Sequence, residues 1–137
     1  MLRYLSDEWL TVAAELLEQL TLSIAPVEDF AVVTRVTEVP SAPDGLVEYT
    51  YVLTADQVRL ELGSREDLSS VRFTQRFRIA ESVARGTLSA QSAFMSGDIQ
   101  LGGDVSALIA NSGLVAEIGD ALVDLRSQTR FTEPEPL

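Results

Sequence analysis

Apolar and polar residues alternate most strictly in two short segments near the middle of the chain. In residues 58–62, Val and Leu alternate with Arg and Glu. In residues 71–79, one row is apolar apart from Gln75 and includes Phe77 and Ile79, while the opposite row holds three arginines and a threonine. Successive side chains of a strand point to opposite faces. This period therefore predicts two strands with one covered face and one face in water.

Three more segments complete the predicted sheet. Residues 29–39 are rich in β-branched side chains, and residues 47–53 alternate so that Tyr49 and Tyr51 share one face. The turn sequence PSAPDGL between them makes this pair a predicted hairpin. Residues 98–101 add a short fifth strand with two apolar residues on its inner face. We therefore expect a sheet of five strands.

Helical spacing of apolar residues predicts the elements that cover this sheet. Ser6 is a suitable N-cap, and apolar residues from Trp9 to Leu20 recur at intervals of three and four. A short helix is expected to end at Gly86, and another is expected to run from Ser89 to Gly97. Because the sheet needs one apolar face covered, these helices are expected to pack on it.

The C-terminal part of the chain predicts two further helices, over residues 105–110 and 114–125, separated by a break at residues 111–113. A glycine inside the second helix weakens it. We expect that helix either to move as a lid over a pocket or to pack as a fixed last helix or a dimer contact. Periodicity then stops, so we expect one domain over residues 1–126 and a disordered acidic tail over residues 127–137.

Composition removes most of the usual catalytic groups. Of the 137 residues, none is His or Cys, and all ten basic residues are Arg because the sequence contains no Lys. Serine–histidine triads, thiol nucleophiles, Schiff-base lysines and zinc sites of His and Cys are therefore excluded. We expect no enzymatic activity, no cofactor and no metal site.

The net charge of −11 limits the partners. An acidic protein repels the phosphate backbone of nucleic acids and docks weakly on anionic lipid surfaces. The first residues carry acids where an export signal carries cations, and no apolar run reaches the ~18 residues of a membrane span. The lack of cysteine fits a reducing compartment. We expect a cytoplasmic protein with no nucleic-acid partner and no integral membrane segment.

One stretch, "RGTLSAQSAFMSGDIQLGGDVSAL" from Arg85 to Leu108, resembles the signature region of the sterol carrier protein type 2 (SCP-2) family. The family pattern is G-x-L-x-x-Q-x-A-F-M-x-G, followed by a strand and a G-D turn. The matching residues are Gly86, Leu88, Gln91, Ala93, Phe94, Met95, Gly97, Gly103 and Asp104. The all-Arg basic set, the single domain and an ending other than Ser-Lys-Leu fit a bacterial member.

The resemblance implies an α/β (α+β) fold with a five-stranded, mostly antiparallel sheet covered on one face by helices around an apolar tunnel. It also implies non-enzymatic binding or transfer of a sterol, a fatty acyl chain or a similar apolar ligand. The alternative is an interaction or accessory subunit with a collapsed cavity. Such a subunit would form a homodimer or serve an enzyme of steroid or acyl metabolism.

The candidate cavity residues are apolar residues of the predicted helices and of the inner strand rows, together with one amide. They are Trp9, Leu16, Phe73, Gln75, Phe77, Val83, Phe94, Met95, Ile99, Leu101, Leu108, Ile109, Leu114, Ile118 and Leu122. Phe94 and Met95 could equally be core residues held against the sheet by the turn at Gly97. Gln75 could contact a ligand carboxyl or hydroxyl, or could be an amide satisfied by the backbone.

Two clusters of charged residues could bind a charged partner or could simply lie in solvent. One is the arginine group Arg72, Arg76, Arg78 and Arg85, which could face an anionic head group or an acidic partner, or could pair across strands with Glu48 and Glu61. The other is the acidic group Glu117, Asp120 and Asp124, which we interpret as a solvated helix face because no other ligands accompany it.

Overall fold

The computed structural model describes residues 2–20, 26, 28–40, 42–55, 57–65 and 69–131. In chain order the strands are β1 (Leu2–Arg3), β2 (Phe30–Thr37), β3 (Val47–Leu53), β4 (Val58–Leu62), β5 (Ser69–Arg76), β6 (Ile99–Gly103) and β7 (Thr129–Arg130). The helices are α1 (Asp7–Glu18), α2 (Phe77–Arg85), α3 (Ala90–Met95), α4 (Val105–Ala110) and α5 (Ser112–Val123).

The main sheet has five strands in the order β4-β3-β2-β5-β6. The central pair, β2 and β5, is parallel, and the other three pairings are antiparallel. The predicted hairpin is confirmed as β2–β3, whose register joins Thr34 to Tyr49. This arrangement confirms the expected α+β fold with a mostly antiparallel five-stranded sheet.

Helix α1 begins where the sequence predicts. The Ser6 hydroxyl accepts a hydrogen bond from the backbone N–H of Trp9 at 3.2 Å, which caps the first turn. Ala13 and Leu17, four residues apart, are fully buried. Because residues at this spacing share one face of a helix, α1 presents an apolar stripe to the sheet.

The strand predicted over residues 71–79 is too long. Strand β5 ends at Arg76, and Phe77 already belongs to α2. The two strands beside β5 end at the same level. Arg76 pairs with Thr37, the last residue of β2, and Gln75 pairs with Ile99, the first residue of β6. With no strand left to pair, the chain turns into a helix whose spacing buries Phe77 and Ala80 together.

The last two helices are separated at Asn111 alone, because α5 begins at Ser112, inside the break predicted over residues 111–113. The caps around the signature segment follow the sequence. The Ser89 hydroxyl caps α3 by accepting from the N–H of Ser92 at 3.1 Å. Asp104 caps α4 by accepting from the N–H of Ala107 at 3.0 Å. Gly103, the last residue of β6, directly precedes this cap and has a φ of 84°, and a Cβ there would stand 2.5 Å from the backbone oxygen of Ser70. Only glycine fits that close approach.

The chain beyond residue 126 is regular where the sequence predicts a loose tail. A 3-10 turn over Arg126–Gln128 leads into β7, which pairs in parallel with β1 at the other end of the chain. The indole Nε1 of Trp9 donates to the Thr129 hydroxyl at 3.0 Å, and Thr129 is buried. A strand of two residues leaves no periodicity to recognise. The remainder of the predicted tail, 132–137, lies outside the described residues.

Two groups of buried side chains form the core on the helical side of the sheet. One surrounds Tyr4, Trp9 and Phe77, and the other surrounds Leu17 and Phe30. Between them lies the space that the candidate site occupies.

The opposite face of the sheet carries arginines and glutamates, but their pairing differs from the expectation. Glu48 pairs with Arg35 at 3.3 Å, and Glu61 pairs with Arg65 at 3.1 Å. Glu48 cannot reach an arginine of β5 directly, because β2 lies between β3 and β5 and places Arg35 opposite Glu48. These are partly exposed pairs, each worth about 0–1 kcal/mol.

Candidate ligand-binding pocket

A pocket of about 380 Å³ lies between the main sheet and the helices that cover it. Its volume falls within the range of about 300–1,000 Å³ that is common for small-molecule sites. Among the described residues, fifteen that line it are apolar or glycine: Trp9, Val32, Phe73, Ala80, Val83, Ala84, Ala90, Phe94, Ile99, Val115, Ile118, Gly119, Leu122, Val123 and Phe131. The polar ones are Tyr4, Thr34, Tyr49, Tyr51, Gln75, Arg126 and Thr129.

Strand register explains which sheet residues form the floor of the pocket. Thr34 of β2 pairs with Tyr49 on one side and with Phe73 on the other, so the three side chains form a row across the sheet. A second row joins Gln75 to Ile99 on the neighbouring strand. The rows lie on the same face because their members are two residues apart along β5.

The pocket opens beside α3 and α5. Phe94 on α3 is 48% exposed and Val123 on α5 is 45% exposed, although both line the pocket. Gly119 lines it as well, and a Cβ built there would meet no atom within 4 Å. These three residues therefore mark where the pocket meets solvent.

Three tyrosines supply hydroxyl groups to an otherwise apolar wall. Burial raises the pKa of Tyr4 and of Tyr51 well above its usual value. Burial also raises the pKa of Tyr49, and hydrogen bonds with the side chains of Tyr51 and Thr34 reduce this increase. The Tyr4 hydroxyl donates to the backbone oxygen of Ala80 at 3.3 Å. All three phenols are therefore neutral at physiological pH and can act as hydrogen-bond donors.

Gln75 is the exception in this wall. Its side-chain oxygen Oε1 is buried, and no residue in the described part of the chain donates a hydrogen bond to it. A buried acceptor without a donor costs free energy, on the order of 1–3 kcal/mol. The expectation that the backbone satisfies this amide is therefore wrong for Oε1 within the described residues.

Arg126 is the only cation among the described residues that line the pocket. Its Nε donates to the backbone oxygen of Ala84 at 2.7 Å, which ties the end of the chain to α2. Its guanidinium lies against Gly86, where a Cβ would stand 2.8 Å from a terminal nitrogen. Glycine at the end of α2 therefore leaves room for this side chain.

Eight of the fifteen predicted cavity residues line the pocket: Trp9, Phe73, Gln75, Val83, Phe94, Ile99, Ile118 and Leu122. They come from α1, β5, α2, α3, β6 and α5, so the fold brings together side chains that are far apart in sequence.

The other seven candidates lie elsewhere. Phe77 and Leu114 are buried in the two core groups, and Leu16, Leu101 and Leu108 pack against those groups. Met95 and Ile109 are 78% and 71% exposed, respectively. The expectation that Phe94 and Met95 are both held against the sheet is therefore wrong for Met95. It follows Phe94 directly on a short helix, so it points away from the sheet.

Pattern reasoning missed several lining residues. Tyr49 and Tyr51 share the inner face of β3, which the alternation of residues 47–53 predicts, so that signal was available. Thr129 and Phe131 enter the pocket through the pairing of β7 with β1. That pairing joins the two ends of the chain and leaves no local sequence pattern.

A second recess, of about 290 Å³, lies beside the end of β5 and has a more polar lining. Ile79 lines it together with Arg76, Asp98 and Gln100. Ile79 therefore does not belong to the inner apolar row in which the sequence predicts it.

None of the helices in the described part of the chain is long and apolar enough to cross a membrane. Within the same residues, no three acidic side chains are grouped so that they could hold a metal ion. Asp120 on α5 and Asp124, which directly follows α5, are exposed.

No family model matches the sequence, and no curated protein matches it. Solved structures do match. A crystal structure of sterol carrier protein 2 aligns with a TM-score of 0.68 at 16% identity, covering 89% of this chain and 98% of that one. TT1886, a conserved hypothetical protein of Thermus thermophilus, aligns with a TM-score of 0.63 at 16% identity, covering 91% of each chain.

The palmitated SCP2L2 of Aedes aegypti is also similar, with a TM-score of 0.52 at 17% identity over 86% of this chain and 95% of that one. At such low identity the likeness concerns the fold. It agrees with the signature segment and with the five-stranded sheet covered by helices. The chain therefore has the sterol carrier protein 2 fold.

Proposed function

We propose that this chain is a non-enzymatic lipid-binding or lipid-transfer protein that holds a sterol, a fatty acyl chain or a similar apolar molecule in its internal pocket. The observation that carries the proposal is the pocket itself, which is lined mainly by apolar side chains from the sheet and from the helices α1, α2, α3 and α5. Such a wall favours a ligand through burial of apolar surface and needs no reactive group.

The energetics indicate the size of ligand that suits this site. Burying one methylene contributes about 0.8 kcal/mol, so about ten methylenes contribute roughly 8 kcal/mol. Association and ordering take back at least about 4 kcal/mol of that gain. A longer chain or a ring system is therefore needed for tight binding, and sterols and long acyl chains meet that need.

Two further observations support a carrier. The similar SCP2L2 of Aedes aegypti is described in its palmitated form, so this fold accepts a fatty acyl chain in at least one protein. The sequence lacks His, Cys and Lys, which removes the usual nucleophiles and general bases. The lack of cysteine also fits a reducing compartment, and we propose the cytoplasm as its location.

Native mass spectrometry of the purified protein tests the proposal. We expect a protein–lipid complex that loses its lipid on solvent extraction and regains mass when palmitate or a sterol is added. An empty dimer that takes up neither compound would contradict the proposal and would favour an interaction subunit. The exposed Met95 and Ile109 are then the first surface residues to examine in such a dimer.

A further inference from the structure

Among the described residues that line the pocket, Gln75 has a buried side-chain oxygen without a hydrogen-bond partner. Oε1 of Gln75 is buried and receives no hydrogen bond from any described residue. Gln75 lies on the inner face of β5, beside Ile99 and two residues after Phe73, and all three side chains line the pocket. Gln75 therefore borders apolar side chains of this pocket, and it also borders the second, more polar recess.

We propose that Gln75 recognises the hydroxyl group of an apolar alcohol, such as a long-chain alcohol or a sterol, by accepting a hydrogen bond from it. This inference rests on the proposed lipid-binding function and adds the chemistry of the head group. A hydroxyl carries one donor, which Oε1 lacks, and its own oxygen can accept a hydrogen bond in return.

The other common lipid head groups fit this position less well. An ionised carboxylate only accepts hydrogen bonds, so it would leave Oε1 without a donor and place a second acceptor beside it. An ester or an ether has the same deficiency. Among the described lining residues, Arg126 could pair with a carboxylate, but its Nε already donates to the backbone oxygen of Ala84 on α2.

The adjacent row of the floor also carries neutral polar groups. Tyr49 and Thr34 form the adjacent row of the floor, and neither carries a charge. Burial keeps the tyrosine in its neutral form by raising its pKa. A neutral phenol can donate to the hydroxyl oxygen of the ligand without the desolvation cost that an ion would bring.

Two probes of equal size separate the donor from the rest of the head group. Hexadecan-1-ol and 1-methoxypentadecane have the same number of heavy atoms and each has one oxygen, but only the alcohol donates. We expect the wild-type protein to bind the alcohol about tenfold more tightly in a calorimetric titration, because the ether leaves Oε1 unpaired. The Gln75→Met variant should bind both probes equally.

A matched control is Gln91→Met, which changes an exposed glutamine of α3 outside the pocket lining and should keep the tenfold preference. If Gln75→Met does not fold, the wild-type protein still gives an answer by NMR. The side-chain amide resonances of Gln75 should shift with the alcohol and stay unchanged with the ether.

The results separate this inference from the function on which it rests. Binding of both probes with equal affinity, or a preference that survives in Gln75→Met, overturns the role of Gln75 and leaves lipid binding intact. Binding of neither probe, nor of palmitate or a sterol, overturns both.

Discussion

Replacing Gly119 by leucine tests the position of the ligand site. Gly119 lies inside α5 and lines the pocket, and a Cβ at this position would meet no atom within 4 Å. Leucine therefore fits without a clash and removes a poor helix former. Glycine is about 0.8–1 kcal/mol less favourable than alanine in a helix interior, and leucine is close to alanine. We expect Gly119→Leu to stabilise the protein by about 0.7 kcal/mol, raising Tm by about 2–4 °C.

The same substitution should weaken ligand binding. The new side chain extends into the opening of the pocket and takes space that the ligand would use. Excluding only two ligand methylenes from the pocket costs roughly 1.6 kcal/mol, or about fifteenfold in affinity. The assay is a titration with a fluorescent fatty acid, combined with thermal unfolding followed by circular dichroism.

Gly113→Leu is the matched control, because Gly113 is exposed, lies in the first turn of α5 and also has no atom within 4 Å of a Cβ. It does not line the pocket, so the affinity should stay at the wild-type value. If Gly119→Leu raises Tm but binds the fatty acid as tightly as the wild type, the ligand does not occupy this pocket.

Three further predictions concern the framework around the site. Trp9→Phe removes the 3.0 Å hydrogen bond to Thr129 and should lower the free energy of unfolding by about 1 kcal/mol in urea, whereas an unchanged value would show that this bond contributes nothing. All three tyrosines have raised pKa values, so the unfolded chain ionises first above pH 10.0. The free energy of unfolding should stay constant below that pH. Above it, the free energy of unfolding should fall by up to about 1.4 kcal/mol per pH unit for each tyrosine. If absorbance shows the tyrosines of the folded protein titrating near pH 10, this prediction is wrong. Ile99→Ala should destabilise by about 2–4 kcal/mol because Ile99 is buried, whereas Met95→Ala, at an exposed position, should change stability by less than about 0.5 kcal/mol; equal effects in denaturant titrations would refute the placement of Met95.

Much of the fold could be predicted because local pattern and tertiary burial agree. The alternation of residues 47–53 and 58–62 predicts one covered row. The structure covers that row at Tyr49 and Val58, but Leu62 is 71% exposed, and Thr50 and Val52 of the opposite row are buried as well. The boundary after Arg76 could not be predicted in the same way. Alternating arginines and apolar residues fit a strand, but Phe77 and Ala80 also lie three apart, as on a helix face. The choice depends on where the neighbouring strands end, which is not local information.

The residues of the candidate site could also be predicted only where local sequence pattern decides their position. Phe73 and Ile118 line the pocket because each belongs to an apolar row that the sequence reveals. Phe131 could not be found, since its position depends on pairing between the two ends of the chain. Met95 was misplaced because a family motif marks a position without giving the direction of its side chain.

The most direct test of the central claim is an NMR measurement on protein labelled at its isoleucine methyl groups, with a long-chain fatty acid or alcohol added. Ile99 and Ile118 line the pocket, whereas Ile109 is 71% exposed and serves as an internal control. We predict nuclear Overhauser effects from the ligand chain to the methyl groups of Ile99 and Ile118 and none to Ile109. Contacts with Ile109 alone, or none with any of the three at saturating ligand, would contradict an internal apolar binding site.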